Sequence, residues 1–99
     1  MSYLRRFYDK RLKKSPDILT VEDISGITGF VTQSVQRWIG KQHLKSFTKG
    51  RGFRVPKESL IDFLVSPVYN AIQEKSEAQK SAMLEFNKWY AARIGGVKI

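Results

Sequence analysis

The stretch from Ile18 to Ile39, ILTVEDISGITGFVTQSVQRWI, decides the fold. Its first half contains a capping box, because the hydroxyl of Thr20 is followed three residues later by Asp23, whose carboxylate can reach back to the cap amide. Gly29 is placed to end the helix that starts there, since glycine adopts the left-handed conformation at a helix end at little cost. The pattern therefore predicts a short helix from Val21 to the residue before Gly29.

A second short helix is predicted from about Thr32 to Ile39. Val35, Trp38 and Ile39 recur at the i, i+3 and i+4 spacing of a buried helix face. The polar residues of the segment fall on the other side and are expected to face solvent. Two short helices joined by a tight turn that contains glycine are typical of a helix-turn-helix.

The next segment changes to the pattern of a β-hairpin. Leu44–Thr48 and Phe53–Val55 are rich in apolar and β-branched residues, and they flank the glycine-rich turn KGRG at 49–52. This predicts a two-stranded wing. Pro56 is expected to start a further helix, which ends before Ser66-Pro67. The apolar positions of that helix are Leu60, Ile61, Phe63 and Leu64.

The two ends of the chain are less sharply defined. Ser2–Lys14 has helical spacing and a cationic polar face, and both a short helix and a frayed basic arm fit it. Val68–Ile94 is helical in propensity throughout, and Gly95-Gly96 is expected to terminate it. A stripe on this C-terminal helix is apolar and needs a partner, which predicts a homodimer or cooperative assembly. The stripe consists of Met83, Phe86, Trp89 and Tyr90.

Composition excludes several classes of function. The 99 residues fit one folding unit with three segments: a basic helix or arm (1–17), a central winged helix-turn-helix segment (18–66) and a C-terminal extension (67–99). Cysteine is absent and His43 is alone, so we expect no metal, no cofactor and no catalysis. No long apolar run or leader-like segment is seen, which predicts no membrane partner and a cytoplasmic location.

Charge points to a polyanionic partner. Lys and Arg number 18 against nine acidic residues, a net charge of +9, and no acidic residue occurs between Asp23 and Glu58. Like charges at this density repel one another, and binding to a polyanion relieves that cost.

The second predicted helix carries groups that read bases. Gln33 and Gln36 can bond adenine in the major groove, and Arg37 can bond guanine or clamp a phosphate. The wing is expected to contact the DNA backbone. The residues predicted to contact DNA are Thr32, Gln33, Ser34, Gln36, Arg37, Lys41, Lys49, Arg51 and Arg54.

A known family shares these features. Leu19-Thr20-Val21-Glu22-Asp23-Ile24, Thr28-Gly29-Phe30, Ser34-Val35-Gln36-Arg37-Trp38-Ile39, Leu44 and Gly50-Arg51-Gly52-Phe53-Arg54-Val55-Pro56 resemble the excisionase-type, MerR-like winged helix-turn-helix domains. The resemblance covers about 18–65. It implies a mostly α fold, a winged helix-turn-helix with a small β-hairpin. The C-terminal helical extension (67–99) lies outside the resemblance and is predicted from its helical propensity. The resemblance also implies non-catalytic binding and bending of double-stranded DNA by a factor of a phage or mobile element, with a recombinase or integrase as partner.

The chain departs from the family pattern at two positions. Val31 stands where the family has a serine, so the cap of the second helix is expected to move to Thr32 and to tilt or shorten that helix. Gln36 stands where the family often has an arginine, which weakens the expected grip on the backbone.

Other functions stay open at this point. The same module occurs in transcription regulators that bind an operator and in small terminase subunits. An RNA- or ribosome-associated basic domain would carry aromatic residues on an exposed sheet, whereas the aromatic residues here have buried helical spacing. A protein-interaction adaptor would work through its C-terminal helix alone.

Overall fold

The computed structural model describes residues 2–94, and these form six helices and a three-stranded antiparallel sheet. The helices and strands are, in chain order, α1 Tyr3–Arg11, β1 Ile18–Thr20, α2 Val21–Thr28, α3 Thr32–Gly40, β2 Phe47–Lys49, β3 Gly52–Pro56, α4 Lys57–Leu64, α5 Pro67–Asn70 and α6 Glu77–Arg93. The expectation of a mostly helical chain with a small β component is confirmed.

The start and end of α2 follow the local sequence signals. The amide of Asp23 donates to Thr20 Oγ1, and the amide of Thr20 donates to Asp23 Oδ2, each at 3.0 Å. Gly29 ends the helix with a φ of 75°, and its amide donates to the carbonyl of Ser25. The predicted capping box and the left-handed glycine are therefore confirmed.

The start of α3 differs from the expectation. Val31 occupies the cap position with extended backbone and no side-chain cap, and Thr32 is the first helical residue. The predicted move of the cap to Thr32 is wrong, because Val31 already has the φ and ψ of a cap residue even though it has no side-chain acceptor. The predicted inner face is confirmed, since Val35, Trp38 and Ile39 are buried.

The predicted hairpin is present as β2 and β3, but the sheet has a third strand, β1, which the sequence analysis did not predict. β1 pairs antiparallel with β3, with Leu19 opposite Val55, and both side chains are fully buried. A three-residue strand is too short to show the alternation that identifies longer strands. β2 begins at Phe47 instead of Leu44, because Leu44 is already buried in the core and its amide donates to Trp38.

The N-terminal segment is a helix and not a frayed arm. Ser2 caps α1 by accepting a bond from the amide of Arg5 at 3.1 Å. Phe7, Tyr8 and Leu12 are buried where α1 packs against α4 and α6. The hydrophobic face of α1 therefore belongs to the same core as the helices of the central segment.

The C-terminal extension is broken into two helices, so the predicted continuous helix over Val68–Ile94 is wrong. Ser66 caps the short α5 and Ser76 caps α6. Gln79 is buried and its Nε2 donates to the carbonyl of Tyr69 at 3.0 Å, which fixes α6 against the end of α5. Ile94 follows the last helical residue, and the predicted terminator at 95–96 lies outside the described residues.

One hydrophobic core collects side chains from all three predicted segments. Within it, the ring of Trp38 lies 4.8 Å from that of Phe63 and 5.3 Å from that of Phe30. This cluster fixes α3 against α4, so the outward face of α3 has a defined direction. No helix within the described residues is long and apolar enough to cross a membrane.

Candidate nucleic-acid interface

The outward face of α3 presents the polar residues that the sequence predicted. Gln33, Gln36 and Arg37 are exposed, while Thr32 and Ser34 are half-buried. Because Val35, Trp38 and Ile39 hold the opposite face in the core, these polar side chains point away from the protein. The helix is therefore oriented to present amide, hydroxyl and guanidinium groups to a partner.

The first turn of α3 leaves backbone donors free. Val31 is 63% exposed and gives no side-chain cap, and no acidic residue lies in the first turn. Among the described residues, the amides of Thr32 and Gln33 have no hydrogen-bond acceptor. A helix N-terminus with free amides and a positive dipole end is favourable for an anion such as a phosphate.

The hairpin of β2 and β3 carries its cations at the tip and on one face. Gly50 takes the first position of a two-residue turn with a φ of 64°, which a type II′ hairpin turn requires. Lys49 and Arg51 are exposed beside it. Arg54 Nη1 donates to the carbonyl of Phe53 at 3.0 Å and lies against Gly52, where an added Cβ would come within 2.8 Å. Glycine at 52 therefore makes room for the Arg54 side chain.

A cleft of about 220 Å³ lies between α3 and the hairpin. It brings Gln36 of α3 together with Arg51 and Arg54 of the hairpin. The other six predicted site residues do not line it, and they are Thr32, Gln33, Ser34, Arg37, Lys41 and Lys49. The structure thus assembles part of the predicted site from segments distant in sequence.

Glu22 and Phe53 also line this cleft, and the sequence analysis missed both. Glu22 lies in the first turn of α2 and is exposed. The sequence identifies Glu22 only as a residue of a capped helix start. Its proximity to the hairpin is a tertiary contact, which a local sequence pattern does not show. Phe53 was assigned only as a strand residue.

Two aromatic side chains on the sheet are exposed, which corrects an expectation. Phe47 is 44% and Phe53 is 38% exposed. The argument that the aromatic residues are all buried at helical spacing is therefore wrong. The two rings lie on opposite faces, since Phe47 pairs with Arg54 whereas Phe53 pairs with Thr48, the next residue along each strand.

Only some of the basic residues form ion pairs within residues 2–94. Arg5 bonds Asp62 at 2.5 Å and Glu58 at 2.7 Å, and Arg11 pairs with Glu85. These two cations of α1 therefore form ion pairs within the molecule. The carboxylates of Asp62 and Glu58 help to raise the pKa of Arg5. By contrast, within residues 2–94 the cations of α3, the following loop and the hairpin form no ion pair with an acidic side chain. They are Arg37, Lys41, Lys45, Lys49, Arg51 and Arg54. Lys57, at the start of α4, pairs with Asp17.

The apolar stripe of α6 has a partner within the chain. Phe86 and Trp89 pack their rings 5.5 and 5.9 Å from that of Phe7 in α1. The expectation that this face needs a second molecule is wrong for these two residues. Met83 and Tyr90, each 37% exposed, lie at its margin, and the prediction of a contact between copies now depends on them.

The clearest pKa shifts of tyrosines lie in the core and not at the interface. Burial raises the pKa of Tyr8 and of Tyr69 above the ordinary phenol value. Within the described residues, no group of three or more histidine, cysteine or acidic side chains is arranged to hold a metal ion.

Comparison with models of protein families, with curated proteins and with solved structures finds no match to this chain. The resemblance to excisionase-type domains therefore depends on the residues and on the arrangement of α2, α3 and the hairpin described above.

Proposed function

We propose that this protein is a non-catalytic, sequence-specific double-stranded DNA-binding protein with a winged helix-turn-helix. In this proposal α2 and α3 form the helix-turn-helix, α3 enters the major groove and the β2–β3 hairpin is the wing. Gln33, Gln36 and Arg37 contact base edges, while Lys49, Arg51 and Arg54 contact the backbone. The B-DNA major groove is about 12 Å wide and admits one α-helix, which suits the nine-residue α3.

The observation that carries this proposal is the set of unpaired cations on α3, the following loop and the hairpin, in a stretch (24–57) that contains no acidic residue. Arg5 and Arg11 of α1 are paired with carboxylates, whereas six basic side chains of α3, the following loop and the hairpin have no acidic partner among the described residues. A protein that gains from releasing DNA counterions needs cations that are free to meet phosphates. These cations surround a helix whose outward face carries amides that suit base edges.

The host process is proposed from the resemblance. We propose an excisionase-like factor that bends DNA for a recombinase or integrase, and an operator-binding regulator is the alternative within the same chemistry. Both mechanisms use more than one protomer. Sedimentation of the free protein and of its DNA complex tests this, since a monomer in both would exclude assembly through α6.

One observation supports a second candidate function, that of an RNA-binding domain. Phe47 and Phe53 are exposed on a sheet, as expected of residues that stack on unpaired bases. Their opposite faces argue against one continuous stacking surface, and the duplex proposal is therefore preferred. Affinity for duplex DNA and for structured RNA at the same salt concentration separates the two candidates.

The decisive experiment is a selection from random duplexes followed by titration of the enriched site. We expect log affinity to fall against log salt with a slope of about −5 to −7, which corresponds to roughly five to eight phosphate contacts. Replacing Lys49 and Arg51 by Gln should weaken binding to every sequence and flatten the slope. The matched control replaces Lys13 and Lys14, two exposed cations that follow α1, and should have a much smaller effect. Equal effects of the two double variants would contradict this placement of the interface.

A further inference from the structure

Phe53 lies on the side of the hairpin that faces the helices. It is two residues from Val55 on β3, so both side chains are on the same face of the sheet. Val55 is buried, but Phe53 lies closer to the hairpin turn and is 38% exposed. Its ring lines the cleft between α3 and the hairpin together with Gln36.

The lining of this cleft combines apolar, amide and charged groups. Phe53 and Val21 give it apolar walls, and Gln36 gives it an amide that both donates and accepts. Glu22 adds a carboxylate, and Arg51 and Arg54 add guanidinium groups that can meet the phosphates on either side of a base. A base edge has the polarity that this mixture fits, and the nearby Arg51 can meet the phosphate beside it.

We infer that Phe53 is a specificity-determining residue that packs against the 5-methyl group of a thymine, next to an adenine bonded by Gln36. This inference depends on the proposed DNA-binding function and names the sequence feature that the site prefers. Adenine presents N7 and N6 to a glutamine in the major groove, and thymine presents its methyl group to an apolar side chain. The cleft therefore recognises a step that contains an A·T pair.

Phe47 provides a matched comparison on the same hairpin. It is an aromatic residue with similar exposure, and it is paired with Arg54 on the opposite face of the sheet. It does not line the cleft. A general effect of removing an exposed ring from the wing will therefore appear for both residues, whereas recognition of a methyl group belongs to Phe53 alone.

The test uses the full chain and the duplex obtained by selection, with each thymine replaced in turn by deoxyuridine, which lacks only the methyl group. For the unmodified protein we expect one replacement to weaken binding about threefold to fivefold, which corresponds to the free energy of burying one methyl group. Phe53→Ala should bind the thymine and uracil duplexes equally. Phe47→Ala should keep the difference at that position.

The outcomes separate this inference from the proposed function. Failure to enrich any duplex sequence would overturn the proposed function itself. Enrichment without a position sensitive to uracil, or sensitivity that persists in Phe53→Ala, would overturn only the role of Phe53. If Phe53→Ala does not fold, Phe53→Leu keeps an apolar side chain of smaller reach and should reduce the ratio between thymine and uracil. An unchanged ratio in that variant would also overturn the role.

Discussion

Ser76 Oγ donates a hydrogen bond to the backbone carbonyl of Thr28, the last residue of α2. The same oxygen accepts a bond from the amide of Gln79 and so caps α6. The start of the C-terminal helix is thereby fastened to the turn between α2 and α3. In the proposed function the C-terminal extension thus supports the turn that sets the direction of α3.

Replacing Ser76 by Ala tests this connection. The variant loses a helix cap, which costs about 0.5–2 kcal/mol, and also loses the bond to Thr28. We expect the free energy of unfolding to fall by about 1–3 kcal/mol in urea denaturation.

Ser2→Ala is the matched control for that variant, because Ser2 caps α1 in the same way without a second bond to another helix. The difference between the two variants measures the connection between α6 and α2. If Ser76→Ala costs no more than Ser2→Ala, the bond to Thr28 contributes nothing to stability.

Replacing Gly29 by Ala should destabilise the protein for two reasons. The φ of 75° costs a residue with a Cβ about 1–2 kcal/mol, and that Cβ would lie 2.9 Å from the Cβ of Ala78. We expect a loss of about 2–4 kcal/mol in the free energy of unfolding.

Gly26→Ala is the control for a glycine of the same helix. An added Cβ there meets nothing within 4 Å, and alanine favours the helix by about 0.5–1 kcal/mol. The two variants should therefore shift the urea midpoint in opposite directions. A stabilising shift for Gly29→Ala would show that residue 29 has neither the left-handed conformation nor the contact with α6 in solution.

The parts of the fold that the sequence predicted are those fixed by neighbours along the chain. Thr20 and Asp23 form a capping box within four residues, and the period of Val35, Trp38 and Ile39 identifies a buried face without any tertiary information. Such features need only local geometry, so a single sequence is enough to identify them.

The parts that were missed depend on contacts between distant segments. β1 is three residues long and becomes a strand only because β3 pairs with it. The break before α6 depends on Ser76, whose hydroxyl donates to the carbonyl of Thr28 in α2. The sequence around Ser76 does not reveal this contact. The cleft that combines Gln36 with Phe53 is likewise a property of the packed structure, so the role proposed for Phe53 had no signal in the sequence.

Replacing Val31 by Ser should stabilise the protein. Val31 is 63% exposed, so little buried surface is lost, and a serine at this position can accept a bond from an amide of the first turn of α3. We expect a gain of about 0.5–1.5 kcal/mol in the free energy of unfolding, whereas Val31→Ala should give no such gain.

Affinity for DNA adds a second readout for the same variant. If a phosphate uses the free amides at the start of α3, a serine cap competes with it and Val31→Ser should bind the selected duplex more weakly although it is more stable. Affinity that is equal in Val31→Ser and Val31→Ala would mean that these amides do not contact the DNA.

The buried phenol of Tyr69 makes stability depend on alkaline pH. Burial raises its pKa above the unfolded value of about 10, so its contribution is complete below pH 10 and is lost as the pH rises further. Tyr69→Phe removes this titration and should unfold less steeply between pH 10 and 12 than the unmodified protein. An alkaline unfolding curve that is as steep in Tyr69→Phe as in the unmodified protein would contradict this role.

Arg37 separates base recognition from backbone contact in the proposed interface. It is exposed on α3 and has no acidic partner among the described residues, so its replacement should leave folding almost unchanged. If it bonds a guanine, Arg37→Ala should cost about 1–3 kcal/mol on the selected duplex and much less on duplexes altered at that base pair. Competition titrations with a set of single-base variants measure this difference. A uniform loss on every duplex, with a flatter salt dependence, would instead identify Arg37 as a phosphate contact.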